Sequence, residues 1–122
     1  MAGITFHHVA TGIPPGAEEQ ARSFYAGLLG LTEIPKPAPL VPRGGLWFET
    51  SDGLQIHLQA DDPDDFQSRR HIGLVSADGP SLKQRLEEAG HTTEDDRDFP
   101  GFTRFYVHDP WGNRLEILTP SE

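Results

Sequence analysis

The strongest constraint in this sequence is an internal repeat, because its two halves show the same predicted order of elements. Each half begins with a histidine followed by a β-branched residue, His8-Val9 and His71-Ile72. Each continues with an amphipathic segment of helical period that stops at a glycine, Gly30 or Gly90, and ends with two strands joined by a turn. A 122-residue chain of this kind predicts one domain made of two strand-helix-three-strand units.

The repeat also gives the predicted module boundaries. The first module covers residues 1–60 and opens with a strand from Ile4 to Thr11. Its last two strands, Leu46 to Glu49 and Leu54 to Gln59, flank an Asp-Gly pair that is typical of hairpins. Prolines recur from Pro35 to Pro42, which predicts a loop. Residues 61–70 are polar and predict a linker, and the second module covers residues 71–122.

Composition excludes several classes of function. The formal net charge is −9, from 10 basic and 19 acidic residues, so neither a nucleic acid nor an anionic membrane is an expected partner. The absence of cysteine excludes disulfides, thiolate metal sites and a cysteine nucleophile. No stretch has the length and apolarity of a membrane span, and the first residues lack the pattern of a signal peptide. We therefore expect a cytoplasmic protein.

Four residues at matched positions of the repeat predict a metal site. His8 corresponds to His71, and His57 corresponds to Glu116; imidazole and carboxylate groups both bind divalent metals. Strand alternation sets each of them opposite apolar residues that we expect in the core, namely Leu54, Ile56 and Leu58, Leu115 and Ile117, or Ile72 and Leu74. The alternative is that these are ordinary hydrogen-bonded strand residues. His7 corresponds to Arg70 and is predicted to be structural.

Two longer motifs then point to a known superfamily. The runs from Phe24 to Leu31 and from Phe105 to Glu116 resemble those of the vicinal oxygen chelate superfamily. That superfamily includes glyoxalase I, methylmalonyl-CoA epimerase, fosfomycin-resistance proteins, extradiol dioxygenases and bleomycin-binding proteins. The resemblance implies an α+β fold of two tandem βαββ modules, forming a half-open mixed-sheet barrel with helices outside. It also implies a homodimer with active sites shared between subunits.

The same resemblance implies a set of site residues. The matching positions for one divalent metal ion (Zn, Ni, Fe or Mn) are His8, His57, His71 and Glu116. Glyoxalase-like members commonly have glutamate at the second position, so His57 departs from their pattern. In fosfomycin-resistance and extradiol members this position is often not a ligand, which leaves a three-residue set of His8, His71 and Glu116 as the alternative. Glu116 is the expected catalytic residue, as a ligand that also serves as a base. Substrate contacts are expected from the following residues: Arg43, Trp47, Arg104 and Phe105.

These residues are consistent with three functions. The first is a metal-dependent lyase or isomerase that binds neighbouring oxygens of a small metabolite at the metal. The second is a fosfomycin-type thiol transferase, for which an acidic chain offers few cationic residues. The third is a non-catalytic protein that binds an antibiotic or another small molecule. No organic cofactor is expected, because the sequence lacks a nucleotide fingerprint and a phosphate-binding glycine loop.

Overall fold

The computed structural model describes residues 3, 6–61, 70–97 and 100–121, and the chain divides into two compact units, Met1–Pro63 and Asp64–Glu122. The elements of the first unit are β1 (His8–Ile13), α1 (Glu18–Arg22), a π-helical segment (Ser23–Leu28), β2 (Thr32–Ile34), a 3-10 helix (Ala38–Arg43), β3 (Leu46–Glu49) and β4 (Gln55–Ala60). Those of the second unit are β5 (His71–Val75), α2 (Gly79–Glu88), β6 (Thr93–Asp95), β7 (Phe102–His108) and β8 (Arg114–Pro120). Among the described residues, no helix is both long and apolar enough to cross a membrane.

The two units have the same sheet topology. The strand order is β1-β4-β3-β2 in the first sheet and β5-β8-β7-β6 in the second. In each sheet the first and last strands of the unit are parallel, and the remaining neighbours are antiparallel. A parallel pair needs a crossover connection, which the helix and the two intervening strands provide. The predicted α+β class with two βαββ modules is therefore confirmed.

The core of the first unit lies between its sheet and the helical segment that runs from α1 through the π-helical turns. Tyr25 and Phe48 stack with ring centroids 5.6 Å apart, and both are fully buried. Ile56 and Leu58 of β4 point to the same face of the sheet as Phe48, because side chains alternate along a strand. Burying these groups removes apolar surface from water, which is the main force that holds the helix on the sheet.

The second unit repeats this arrangement with a regular helix. The Asp78 side chain caps α2 by accepting a hydrogen bond of 3.1 Å from the backbone N–H of Ser81, and Pro80 occupies the first turn. Leu82 and Leu86 lie one turn apart and are buried. The buried side chains of the sheet on this helix-facing side are Phe105, Val107, Leu115 and Ile117. The residues that alternate with these along each strand therefore point to the face of the sheet away from the helix.

Two details differ from the sequence-based expectations. Leu54 lies before β4 and is 41% exposed, so it does not belong to the core. The proline-rich segment is not an irregular loop, because Ala38–Arg43 forms a 3-10 helix in which Leu40 N donates to Pro37 O at 2.8 Å. Proline fixes φ near the helical value and has no N–H to leave unpaired, which suits a short 3-10 turn.

Some predicted boundaries fall outside the described residues. The first strand starts at His8, and residues 4 and 5 of its predicted range are outside the description. The same holds for residues 62–69 of the predicted linker. The assembly of the two units into a half-open barrel stays a prediction.

Gly45 provides a test of how tightly the 3-10 helix is joined to the sheet. Its φ is +85°, and a Cβ added there would lie 2.0 Å from the backbone oxygen of Leu58. We expect Gly45→Ala to lower the free energy of unfolding by about 2–4 kcal/mol, since both the backbone conformation and the contact become unfavourable. Urea denaturation followed by circular dichroism measures this change.

Gly27→Ala is the matched control for that substitution. A Cβ at Gly27 would have no atom within 4 Å of it apart from its chain neighbours and the backbone of its own helical segment. The control should therefore change the free energy of unfolding by no more than about 0.5–1 kcal/mol, and alanine favours the folded state by restricting the unfolded chain. Equal destabilisation by the two substitutions would contradict the proposed close approach at Gly45.

Candidate functional site

The strand register puts the candidate ligands at equivalent places in the two units. In the first parallel pair, His8 lies opposite Gln55 and Ala10 lies opposite His57. In the second, His71 lies opposite Arg114 and Gly73 lies opposite Glu116. The two candidate ligands of each unit thus sit on neighbouring strands, offset by two residues, on the face away from the helix. The correspondence inferred from the repeat is reproduced residue by residue.

In the first unit, His57 is held between two other rings. Its imidazole stacks on Trp47 with centroids 3.7 Å apart and on His8 with centroids 4.0 Å apart. Nε2 of His57 lies 2.9 Å from Oε1 of Gln55, two residues earlier on the same strand face. His57 is only 6% exposed, whereas His8 is exposed. The order of rings across the sheet is therefore His8, His57, Trp47.

This environment keeps His57 neutral. The pKa of its imidazole is lowered from 6.5 to about 4, mainly by burial and to a smaller extent by the nearby His8 and His7 imidazoles. A positive charge in that stack would lose hydration without gaining a counter-ion. At neutral pH the ring therefore presents an unprotonated nitrogen, which is the form that binds metals.

A cavity of about 310 Å³ opens beside the Trp47–His57 stack. The 3-10 helix and the residues around it form one wall, and the end of β4 forms another. The lining groups that bear on ligand binding are Lys36, Leu40, Arg43, Trp47, His57 and Asp61. Two residues predicted to contact substrate, Arg43 and Trp47, are thus brought to the same cavity as the candidate ligand His57.

In the second unit, Glu116 is the centre of a polar cluster. It is 6% exposed, and its Oε2 accepts a hydrogen bond of 2.7 Å from Nη1 of Arg104 and one of 3.3 Å from the hydroxyl of Tyr106. Its Oε1 lies 3.5 Å from Nε2 of His71. The guanidinium of Arg114 stacks over the Tyr106 ring at 3.7 Å from the centroid. One carboxylate oxygen is therefore committed to Arg104 and Tyr106, and the other faces His71.

Arg104 is occupied by protein groups on several sides. Besides Glu116, its guanidinium binds the backbone oxygen of Arg97 at 2.9 Å and the carboxylate of Asp96 at 3.4 Å. The hydrogen bond to Glu116 is the main cause that raises the pKa of Arg104 above its ordinary value. Phe105, the next residue of β7, has the opposite alternation and is buried on the helix-facing side. Neither side chain shares the cavity of Arg43 and Trp47.

The sequence motif that starts at Asp109 forms the turn between β7 and β8, and its side chains stabilise that turn. Oδ1 of this buried carboxylate accepts hydrogen bonds from the backbone N–H groups of Trp111 (3.0 Å) and Asn113 (2.8 Å). Oδ2 accepts one of 2.8 Å from the Asn113 side-chain amide, and Gly112 has a φ of +91°. The motif fixes the register of the last hairpin, in which Glu116 lies opposite Tyr106.

Sequence reasoning missed several contributors to these two sites. Gln55 was recognised only as a strand residue, although its position two residues before His57 places it on the same face. The hydroxyl of Tyr106 donates a hydrogen bond to Glu116. The small residues Ala10 and Gly73 lie opposite His57 and Glu116 on the neighbouring strands. For Lys36, the only sequence feature that could have indicated a place in the cavity is its position in the proline-rich segment. Across the described parts of both units, no three histidine or acidic side chains gather as a ready metal-binding group.

Comparison with known proteins identifies the family. The sequence matches the family described as Glyoxalase-like domain over residues 13–118. A glyoxalase family protein from Bacillus anthracis is 36% identical, with 99% of this chain and 98% of that chain matched and a TM-score of 0.88. The chain belongs to the glyoxalase-like domain family, within the superfamily of glyoxalases, bleomycin-resistance proteins and dioxygenases. Among curated protein sequences, none matches significantly.

More distant structures share the fold. A glyoxalase/dioxygenase from Nostoc punctiforme is 22% identical, with 97% of this chain and 92% of that chain matched and a TM-score of 0.77. TnmS3, an antibiotic binding protein from Streptomyces sp. CB03234, is also 22% identical, with 99% of each chain matched and a TM-score of 0.73. The superfamily binds small molecules and often a metal ion. The fold alone therefore does not distinguish an enzyme from a binding protein.

The low pKa of His57 has a consequence for stability in chelator-treated protein. Between pH 6.5 and about 4 the unfolded chain binds a proton at this residue that the folded chain does not. The contribution to stability is therefore complete above pH 6.5 and is lost as the pH falls towards 4. We expect the free energy of unfolding of wild type to fall by as much as about 3 kcal/mol more than that of His57→Gln over this range.

Urea denaturation at a series of pH values measures the difference, and the NMR titration of His57 reports its pKa directly. Parallel stability curves for wild type and His57→Gln would show that the imidazole is not buried in the stack.

Proposed function

We propose that this protein binds one divalent transition metal through His8, His57, His71 and Glu116, and that it acts on a small metabolite with neighbouring oxygens as a lyase or isomerase. The observation that carries the proposal is the shared register: each unit presents two ligand-type side chains on adjacent parallel strands, at equivalent positions. Three imidazoles and a carboxylate suit Zn, Ni, Fe or Mn. Membership of the glyoxalase-like family agrees with this donor set.

The pair in the second unit fits a metal in its present geometry. Two donors bound at about 2.0–2.2 Å to one tetrahedral ion lie roughly 3.3–3.6 Å apart. Nε2 of His71 and Oε1 of Glu116 are separated by 3.5 Å. Because Arg104 and Tyr106 hold the other carboxylate oxygen, Oε1 is the atom of Glu116 that is available to a metal or a proton.

The pair in the first unit fits only after a rotation. Imidazole lone pairs lie in the plane of the ring, and the His8 and His57 rings are inclined by only 11° with centroids 4.0 Å apart. Two nearly parallel planes at that distance do not aim their nitrogens at one ion. His57 is buried and stacked on both sides, whereas His8 is exposed, so we infer that His8 turns when both bind.

The proposed roles in catalysis follow from these positions. When bound, the metal supplies Lewis-acid stabilisation of negative charge on a substrate oxygen. Glu116 is the proposed proton acceptor; its Oε1 would alternate between binding the metal and accepting the proton. Arg104 and Tyr106 fix the orientation of that carboxylate by donating to Oε2. The trapped orientation suits a base that moves a proton between neighbouring atoms of a bound substrate.

Substitution of the ligands tests the metal site. We expect protein purified without a histidine tag to hold about one equivalent of metal, and His71→Ala or Glu116→Ala to hold less than about a tenth of that. Elemental analysis measures the content, and circular dichroism shows that the fold survives. His91→Ala, which changes a histidine outside the proposed set, is the control. Equal metal content in all four proteins would contradict the proposal.

A metal-free binding protein is the second candidate, and the ion pair of Glu116 favours it. The guanidinium of Arg104, 2.7 Å from Oε2, compensates the carboxylate charge that would otherwise attract a cation. The fold is also that of the antibiotic binding protein TnmS3, at 22% identity. If wild type takes up none of the four metals on addition, this candidate replaces the first.

We also propose a homodimer with shared sites. The strands β1 and β5 each end the strand order of their sheet among the described residues. Each carries an exposed apolar side chain, Val9 (37%) and Val75 (65%), and such edges favour association. Light scattering at micromolar concentration should give twice the mass of the chain. A monomer under those conditions would rule out sites shared between subunits.

A further inference from the structure

The cavity beside the Trp47–His57 stack carries more positive than negative charge, in a chain whose net charge is −9. Its charged lining groups are Lys36, Arg43 and Asp61. A cavity with this lining attracts anions more than the rest of an acidic surface does.

The two cations are not equivalent. The ammonium group of Lys36 donates to the backbone oxygen of Gly44 and lies near the carboxylate of Glu18. Glu18 is in turn anchored by the backbone N–H of Gly45 at 2.8 Å. Lys36 therefore holds the 3-10 helix against α1. Among the described residues, no hydrogen bond or ion pair is formed by the exposed guanidinium of Arg43.

The rest of the cavity is suited to an apolar body. Leu40 and the half-exposed Trp47 line it next to Arg43, and its volume of about 310 Å³ lies at the lower end of the range for small-molecule sites. One face of the His57 ring is covered by Trp47 and the other by His8. Charge and shape thus select for one small class of molecule.

We infer that the cavity binds the carboxylate end of a small organic acid with an apolar or aromatic body, and that Arg43 is the residue that recognises the carboxylate. The guanidinium offers two parallel N–H donors that match the two oxygens of a carboxylate. This inference deepens the proposed function, since it names the substrate class for the site that contains His57. It assigns to Arg43 the role that Arg104, paired with Glu116 and Asp96, does not fill.

Trp47 provides the signal for a test. In the Trp111→Phe variant Trp47 is the remaining tryptophan of the two in the sequence, so its fluorescence reports the cavity. The probes are phenylacetate and its neutral isostere phenylacetamide, titrated at low ionic strength. We expect phenylacetate to bind about 10- to 100-fold more tightly than the amide, which is the ratio given by one charge-assisted hydrogen-bonded pair.

Arg43→Gln in the same background should remove that preference, while Arg85→Gln on α2 should retain it. Circular dichroism confirms that each variant is folded. Equal binding of the two probes by the parent, a preference that survives Arg43→Gln, or no quenching by either probe at millimolar concentration would overturn the inference.

The titration is carried out on both chelator-treated and metal-loaded protein. Arg43-dependent binding without any uptake of metal supports the inference and contradicts the metal proposal. Uptake of one metal without Arg43-dependent binding supports the metal proposal and contradicts the inference about Arg43. Failure of one proposal is therefore distinguishable from failure of the other.

Discussion

The parallel pairing of the first and last strands in each unit is the constraint on which the site depends. That pairing forces a crossover, and the helix with the two other strands completes it. Its register then places a small residue, Ala10 or Gly73, beside the second candidate ligand of each unit. A Cβ on Gly73 would lie 3.4 Å from Oε1 of Glu116, in van der Waals contact with the carboxylate. Register and residue size together keep these two positions open.

The two units satisfy equivalent buried polar positions in different ways. In the first, His57 is kept neutral by burial between rings, so no counter-ion is needed and the neighbouring cation Arg43 is left for another partner. In the second, Glu116 is paired with the guanidinium of Arg104 at 2.7 Å, so this cation is already engaged by the protein. A duplicated framework thereby gives two chemically distinct halves. This difference arises because a buried imidazole can be neutral at neutral pH, whereas a buried carboxylate is stabilised by a cation and hydrogen-bond donors.

Much of the local structure followed from short sequence patterns. The strand from Leu46 to Glu49 was predicted with its observed bounds, and the Asp-Gly hairpin joins it to β4. The proline-rich segment was predicted as a loop and is a 3-10 helix, because the rule that proline breaks regular structure does not extend to single tight turns. Leu54 was placed in the core by alternation, but the strand starts one residue later. Such errors concern element ends, where one hydrogen bond decides the assignment.

The sequence by itself determined the duplication, the fold class, the family and the four residues at equivalent positions, since these depend on residue type, period and spacing. The tertiary structure alone decided which partners those residues have. Arg43 and Arg104 were indistinguishable as sequence; the fold gives Arg104 to Glu116 and Asp96 and leaves Arg43 at the cavity of Trp47 and His57. The physical reason is that charge compensation and ring stacking act over a few ångströms across strands, between residues that are far apart in the chain.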